Sequence, residues 1–228
     1  MREGWVLPAK GWVPPDERGP LALDSPAAHT GLSQQRPAIF LDRDGVLNAA
    51  AKDPESGFFE APLRLADVHL LPGVADALER LAAGGYALVC TSNQPLAAKG
   101  KTTLDELIAL HERVLGLLEE EGAHLDGSRL CPHHPNGSVA EFSGPCPCRK
   151  PAPGMLLDAA RDLGLDLDGS WMLGDTDADV QAGQAAGART VLIEYPPSAH
   201  KRVAGVSPDL HAADLPDAVS RLLERERG

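Results

Sequence analysis

An α/β chain built on a mainly parallel sheet, covered on both faces, is the fold this sequence predicts, and three observations predict it. Short continuous apolar runs, such as Ala38-Ile39-Phe40-Leu41, alternate with longer segments of helical period. Gly and Pro punctuate the boundaries between them. The acidic and amide-bearing motifs fall where the apolar runs end, and in parallel sheets ligands sit beyond the carboxyl ends of the strands.

Taken in order, residues 1–36 are rich in Pro, Gly and polar side chains, show no sustained period and read as a disordered tail preceding a domain at 37–228. Ala38–Leu41 reads as a strand buried on both faces. Pro72 is expected at the first helical position of a helix over about 73–84, which Gly84-Gly85 stops. Ala87-Leu88-Val89-Cys90 is a second strand, and Thr102-Thr103-Leu104-Asp105-Glu106 starts an amphipathic helix that Gly122 ends. A short strand leads into Cys131, and a loop rich in Gly, Pro and Cys runs to Pro153. A helix over about 154–163, a strand at 171–173, a helix over about 177–186, a strand at 190–193 and a last helix over about 215–226 complete the alternation.

Composition bounds the partners. The 228 residues carry 21 Lys and Arg against 33 Asp and Glu, a net charge of −12, which disfavours nucleic-acid binding while leaving room for a small anion at a site with local positive charge. No apolar run approaches the roughly 20 residues of a membrane span, and the first residues lack a secretory pattern. The expectation is a soluble, cytoplasmic monomer whose partner is a small anion.

Asp42-Arg43-Asp44-Gly45-Val46 follows the first strand. Residues two apart on extended chain project to one side, so both carboxylates can face one pocket, where a divalent cation would relieve their repulsion. One carboxylate can then attack phosphorus while the other handles protons, Asp42 and Asp44 respectively. A calcium loop fails on spacing, because it needs Gly at its sixth position and Gly45 is fourth. Ser92 and Asn93, in Thr91-Ser92-Asn93-Gln94 at the second strand end, offer donors to phosphate oxygens. Lys150, after Arg149, can neutralise nucleophile and phosphate together. Asp175, in Gly174-Asp175-Thr176-Asp177-Ala178-Asp179, completes a magnesium site; Asp179 can hold a metal-bound water or orient Lys150, and Asp177 is assigned to helix capping.

Of four cysteines, Cys90 lies alone in an apolar strand, whereas Cys131, Cys146 and Cys148 accompany His133 and His134. Three thiols and an imidazole match a closed tetrahedral zinc site with a structural role, and composition leaves open which histidine ligates.

The blocks Asp-x-Asp-Gly-Val, Ser-Asn, Lys-Pro and Gly-Asp-x-x-x-Asp, in that order over Ile39–Asp179, resemble the haloacid dehalogenase superfamily of phosphatases. The stretch from Cys131-Pro132-His133-His134 through Cys146-Pro147-Cys148-Arg149-Lys150-Pro151 resembles its histidinol-phosphate phosphatase-related subfamily. The resemblance implies a Rossmann-like three-layer sandwich with no large cap domain and a short zinc-binding loop at 131–148. It implies Asp42 as nucleophile and Asp44 as acid/base. Magnesium would be held by Asp42, the Asp44 carbonyl and Asp175, and zinc by Cys131, His133, Cys146 and Cys148, with His134 outside the set. Ser92, Asn93, Arg149 and Lys150 would face the substrate. The implied reaction is hydrolysis of a heptose 1,7-bisphosphate to its 1-phosphate, with histidinol phosphate or another sugar phosphate as the alternative. A non-catalytic, zinc-stabilised metal-binding module is the rival from another class; retention of Asp42, Asp44, Lys150 and Asp175 argues against it. Departures from the family pattern are Ser92, Pro95-Leu96, Ala98-Lys99-Gly100, Thr176 and the loop Tyr195–Arg202.

Overall fold

The computed structural model describes residues 19–25, 35–54, 57–203 and 205–227. Among them a seven-stranded sheet is built from β1 (Leu21–Asp24), β2 (Arg36–Leu41), β5 (Ala87–Asn93), β6 (Gly127–Cys131), β7 (Leu165–Gly174), β8 (Arg189–Ile193) and β9 (Leu210–Ala212). Strands β3 (Ala51–Lys52) and β4 (Phe59–Glu60) form a separate antiparallel hairpin. The sheet order is β1-β6-β5-β2-β7-β8-β9, parallel throughout except for β1. β2 and its neighbours β5 and β7 occupy the centre, so the motif at the end of β2 has a strand end on either side.

Alternation along β2 sorts its side chains between two cores. Ile39 and Leu41 join Leu88, Cys90, Trp171 and Val191 against helices α1 (Val74–Ala83), α2 (Leu104–Glu120) and α5 (Leu215–Arg225). Ala38 and Phe40 join Val89 and Met172 against α3 (Gly154–Leu163) and α4 (Asp177–Ala186). This is the expected three-layer sandwich. Among the described residues no helix is long and apolar enough to cross a membrane.

Three expectations need correction. The segment assigned to a tail contains β1, which pairs antiparallel with β6 through Leu21–Leu130 to Asp24–Gly127; residues 1–18 and 26–34 of that segment lie outside the described residues. Its attachment is electrostatic as well as hydrogen-bonded. The buried Arg129 guanidinium on β6 meets Asp24 at 2.5 Å, Asp158 at 2.6 Å and Asp162 at 3.2 Å, tying β1 and α3 to one cation. Pro72 does not open α1: Gly73, at φ 72°, is the N-cap and Val74 the first helical residue. Asp177 is not the cap of α4. Thr176 is, in a capping box closed by Asp179, while the Asp177 carboxylate accepts the Val203 amide.

Candidate active site

Asp42 leaves β2 on the central axis of the sheet. Its Oδ1 accepts from the Arg43 amide at 2.7 Å, from Ser92 Oγ at 2.8 Å, and lies 3.1 Å from Lys150 Nζ. All three contacts fall on one oxygen, and Oδ2 keeps its lone pairs. Gly45 makes the approach of the later motif possible. At φ 95°, a Cβ there would lie 2.3 Å from Asp175 Oδ2 and 2.8 Å from the Tyr195 ring.

Lys150 is buried, with Nζ 2.5 Å from Asp179 Oδ1 and donating to the Thr91 carbonyl at 2.6 Å. Burial alone would lower its pKa, but the charges of Asp179 and Asp42 outweigh that and hold it above the ordinary lysine value. The side chain of Asn93 donates to the Lys150 carbonyl at 2.9 Å and accepts from its amide at 3.0 Å. Asn93 therefore positions the lysine, and it lines the same cavity.

Asp44 sits in a different environment. Arg43 at 3.1 Å, Asn48 at 2.9 Å and Gln94 at 2.6 Å all donate to its carboxylate. Burial pushes its pKa up, yet the Arg43 charge and these hydrogen bonds prevail and leave it below the usual range. Asp175 goes the other way, pushed up to about 8 by burial and by the neighbouring Asp42 and Asp179 charges.

Oxygens of Asp42, Asp175 and Asp179 lie within 4.8 Å of one another. Among the described residues nothing donates a hydrogen bond to the buried Asp175 Oδ1, which leaves it open to a cation. Oxygen ligands of an octahedral Mg²⁺ at 2.0–2.1 Å stand about 3–4 Å apart, so the cluster fits a small divalent ion with modest contraction. The carboxylate of Asp44 is not in this cluster and Asp179 is; only the carbonyl of Asp44 was expected to ligate.

The second cluster has the expected membership. Cys131, Cys146 and Cys148 sulfurs stand 3.3–3.6 Å apart, and His133 Nδ1 lies 3.7 Å from Cys131 Sγ and 3.5 Å from Cys148 Sγ. Tetrahedral zinc at about 2.3 Å from sulfur and 2.0–2.1 Å from nitrogen requires separations of about 3.8 Å and 3.5 Å. Three sulfurs this close cannot all be thiolates without a cation between them, and zinc fits. His134 is outside the cluster, its Nδ1 accepting from the Asn136 amide. Arg149 donates to the His133 carbonyl at 3.0 Å and links this loop to the carboxylate pocket.

The pocket is a cavity of about 310 Å³ lined by Asp42, Asp44, Ser92, Asn93, Arg149, Lys150, Asp175 and Asp179, joined by Glu60, Lys99, Thr176 and Lys201. Every sequence-predicted residue of the phosphate site is thus brought to one place. The residues missed are supports. Gln94 bridges Arg43, Asp44 and Ser92, and Arg202 donates to the Asp175 carbonyl at 2.9 Å. Gln94 was legible as part of its motif, whereas nothing local marks Arg202.

An aspartate with one carboxylate oxygen held and the other open, a buried lysine and a carboxylate cluster at the ends of parallel strands define the class of haloacid dehalogenase-like hydrolases. Comparison with known proteins agrees. The family model described as HAD-hydrolase-like matches residues 147–218. The chain is 41% identical to D-glycero-β-D-manno-heptose-1,7-bisphosphate 7-phosphatase of Yersinia pestis over 82% of this chain and 97% of that protein. Among solved structures, a chain from Mesorhizobium loti described as a HAD-like phosphatase superposes with a TM-score of 0.75 at 31% identity, covering 92% of this chain and 94% of that one. The D,D-heptose 1,7-bisphosphate phosphatase of B. bronchiseptica, complexed with magnesium and phosphate, gives 0.68 at 30% identity, covering 83% and 99%. The chain belongs to the haloacid dehalogenase-like phosphatases, in the family of these heptose-bisphosphate phosphatases.

Proposed function

We propose that this enzyme hydrolyses the 7-phosphate of D-glycero-β-D-manno-heptose 1,7-bisphosphate, leaving the 1-phosphate, by way of a phosphoryl group carried on Asp42. The observation that carries the reading is convergence: three segments distant in sequence bring Lys150 Nζ within 3.1 Å of Asp42 and oxygens of Asp175 and Asp179 within 4.8 Å of an Asp42 oxygen. The names of the relatives supply the sugar.

In the first step Asp42 Oδ2 attacks phosphorus, the bond from phosphorus to the C7 oxygen breaks, and Asp44 gives its proton to the departing oxygen. In the second, Asp44 takes a proton from water, whose oxygen attacks phosphorus; the bond to Asp42 breaks and inorganic phosphate leaves. Asp44 ends protonated, as it began the first step. The resting pocket favours its anion, and the negative charge of a bound phosphate beside it raises its affinity for that proton. Ser92 and Lys150 hold Oδ1, which aims Oδ2 outward, and Lys150 offsets charge shared between nucleophile and phosphate.

Asp42, Asp175 and the Asp44 carbonyl would hold magnesium, which would supply further positive charge to the phosphoryl oxygens. Cys131, His133, Cys146 and Cys148 would hold zinc, which would order the loop that presents Arg149. Among the described residues the cysteines form no disulfide, which leaves Cys131, Cys146 and Cys148 available as ligands.

The test is phosphate release from a panel of heptose and hexose bisphosphates, histidinol phosphate, nucleotides and an aryl phosphate, with wild type and Asp42→Asn. The heptose bisphosphate is expected to give the highest kcat/KM and Asp42→Asn to abolish turnover of every substrate. Equal rates for the two proteins would end the mechanism; a preference for histidinol phosphate would end only the substrate assignment.

A further inference from the structure

We infer that Lys201 recognises the second, non-reacting phosphate of the substrate, and that Glu60 is the counter-ion it gives up to do so. The assignment rests on the bisphosphate reading above and names the residue that enforces it. Four cations line the 310 Å³ cavity: Lys99, Arg149, Lys150 and Lys201. Lys150 is committed to Asp42 and Asp179, Arg149 spends a terminal nitrogen on the His133 carbonyl, and Lys99 stands beside His134 of the cysteine loop.

Lys201 ends the 3-10 helix Pro196–Lys201, part of the loop that departs from the family pattern. The base of that helix is pinned to the catalytic motif from two directions. Ser198 Oγ donates to the Asp175 carbonyl at 3.4 Å and Arg202 Nε to the same oxygen at 2.9 Å, while Tyr195 Oη accepts from the Ala50 amide at 3.0 Å. Lys201 therefore stands at a fixed place relative to Asp175, on the wall of the cavity that Asp42 opens into.

Facing it, Glu60 on β4 places Oε2 3.1 Å from Lys201 Nζ. Beside this pair the rings of Phe58 and His200 stack with centroids 4.7 Å apart, so the hairpin and the 3-10 helix meet at two points on the rim. Both members of the ion pair are about one-third exposed, and such pairs hold weakly. A phosphate dianion brings twice the charge of Glu60 and three acceptor oxygens, and it displaces the carboxylate. A monophosphate has nothing to offer Lys201 and leaves the pair closed. The pair is thus a selectivity device for substrates with a second phosphate.

The experiment compares kcat/KM for the heptose 1,7-bisphosphate with that for the heptose 7-phosphate, in the full-length wild type, Lys201→Met, Lys201→Arg and Glu60→Gln. The ratio is expected to fall about tenfold in Lys201→Met, through the KM of the bisphosphate, and to be largely kept in Lys201→Arg. Glu60→Gln is expected to lower that KM. An unchanged ratio in Lys201→Met, or a parallel loss on both substrates, overturns the assignment while leaving the enzyme's substrate in place. A wild type with no preference for the bisphosphate overturns the substrate reading and the role of Lys201 together.

Discussion

Replacing Lys150 by Met keeps the length of the side chain and removes its charge, and the structure sets the size of the effect. Nζ is buried between Asp42 at 3.1 Å and Asp179 at 2.5 Å, and an oxygen of Asp175 lies within 4.8 Å of theirs. At an effective dielectric constant of 20, each ion pair near 4 Å is worth about 4 kcal/mol before desolvation. Proton uptake by the carboxylates relieves part of the loss, and breaking a buried pair by removing one partner costs about 3–5 kcal/mol net. For a chain of this size that is a fall in Tm of roughly 6–20 °C in metal-free buffer. Magnesium should return more of that loss to Lys150→Met than it adds to wild type, because Asp42 and Asp179 have lost the cation they shared. Thermal melts of both proteins in EDTA and in millimolar Mg²⁺ make the comparison. Equal melting temperatures in EDTA, or an equal magnesium shift in both proteins, would refute the claim that lysine and metal neutralise one carboxylate cluster.

Other consequences are open to simpler assays. His111 is buried with Nε2 2.8 Å from Ser128 Oγ, and burial, with the nearby Arg43 charge, pushes its pKa down to about 3. The unfolded chain takes up a proton near pH 6.5 and the folded chain does not, so stability is lost as pH falls below 6.5, by about 2 kcal/mol at pH 5. Urea melts at pH 7 and pH 5 should show that loss shrinking in His111→Gln; an identical loss in the variant would show that another group titrates. Metal analysis of protein purified without chelator should find about one zinc per chain, lost in Cys146→Ser together with resistance of the 131–148 loop to proteolysis. A metal-free wild type would remove the zinc assignment.

Much of this molecule was legible because its chemistry sits on local patterns. Asp42 and Asp44 follow an apolar run two residues apart, and the position of that run in the centre of a parallel sheet dictates what they can meet. Helices α3 and α4 end where their expected ranges end, because Gly164 and Gly187 follow in left-handed conformations. What escaped was decided by partners far along the chain. β1 has only four residues, and its place in the sheet depends on Asp24 meeting the buried Arg129 more than a hundred residues away. The hairpin strands have two residues each and β9 has three, too short for any period to show. Asn93 also binds the Lys150 backbone, through a loop crossing that no local pattern encodes. Likewise, Lys201 and Glu60 carry no motif, and only the folded chain shows them sharing a cavity with Asp42.

The central claim is that phosphorus is transferred to Asp42 before water receives it. Acid quenching during steady-state turnover of the bisphosphate, followed by reduction with labelled borohydride and peptide mapping, reads this directly, because an acyl phosphate is reduced to an alcohol where a free carboxylate is not. Label on the peptide that contains Asp42, dependent on substrate and absent from Asp42→Asn, is the predicted result. Full turnover with no label on that residue, or with label on Asp175 instead, would contradict the account.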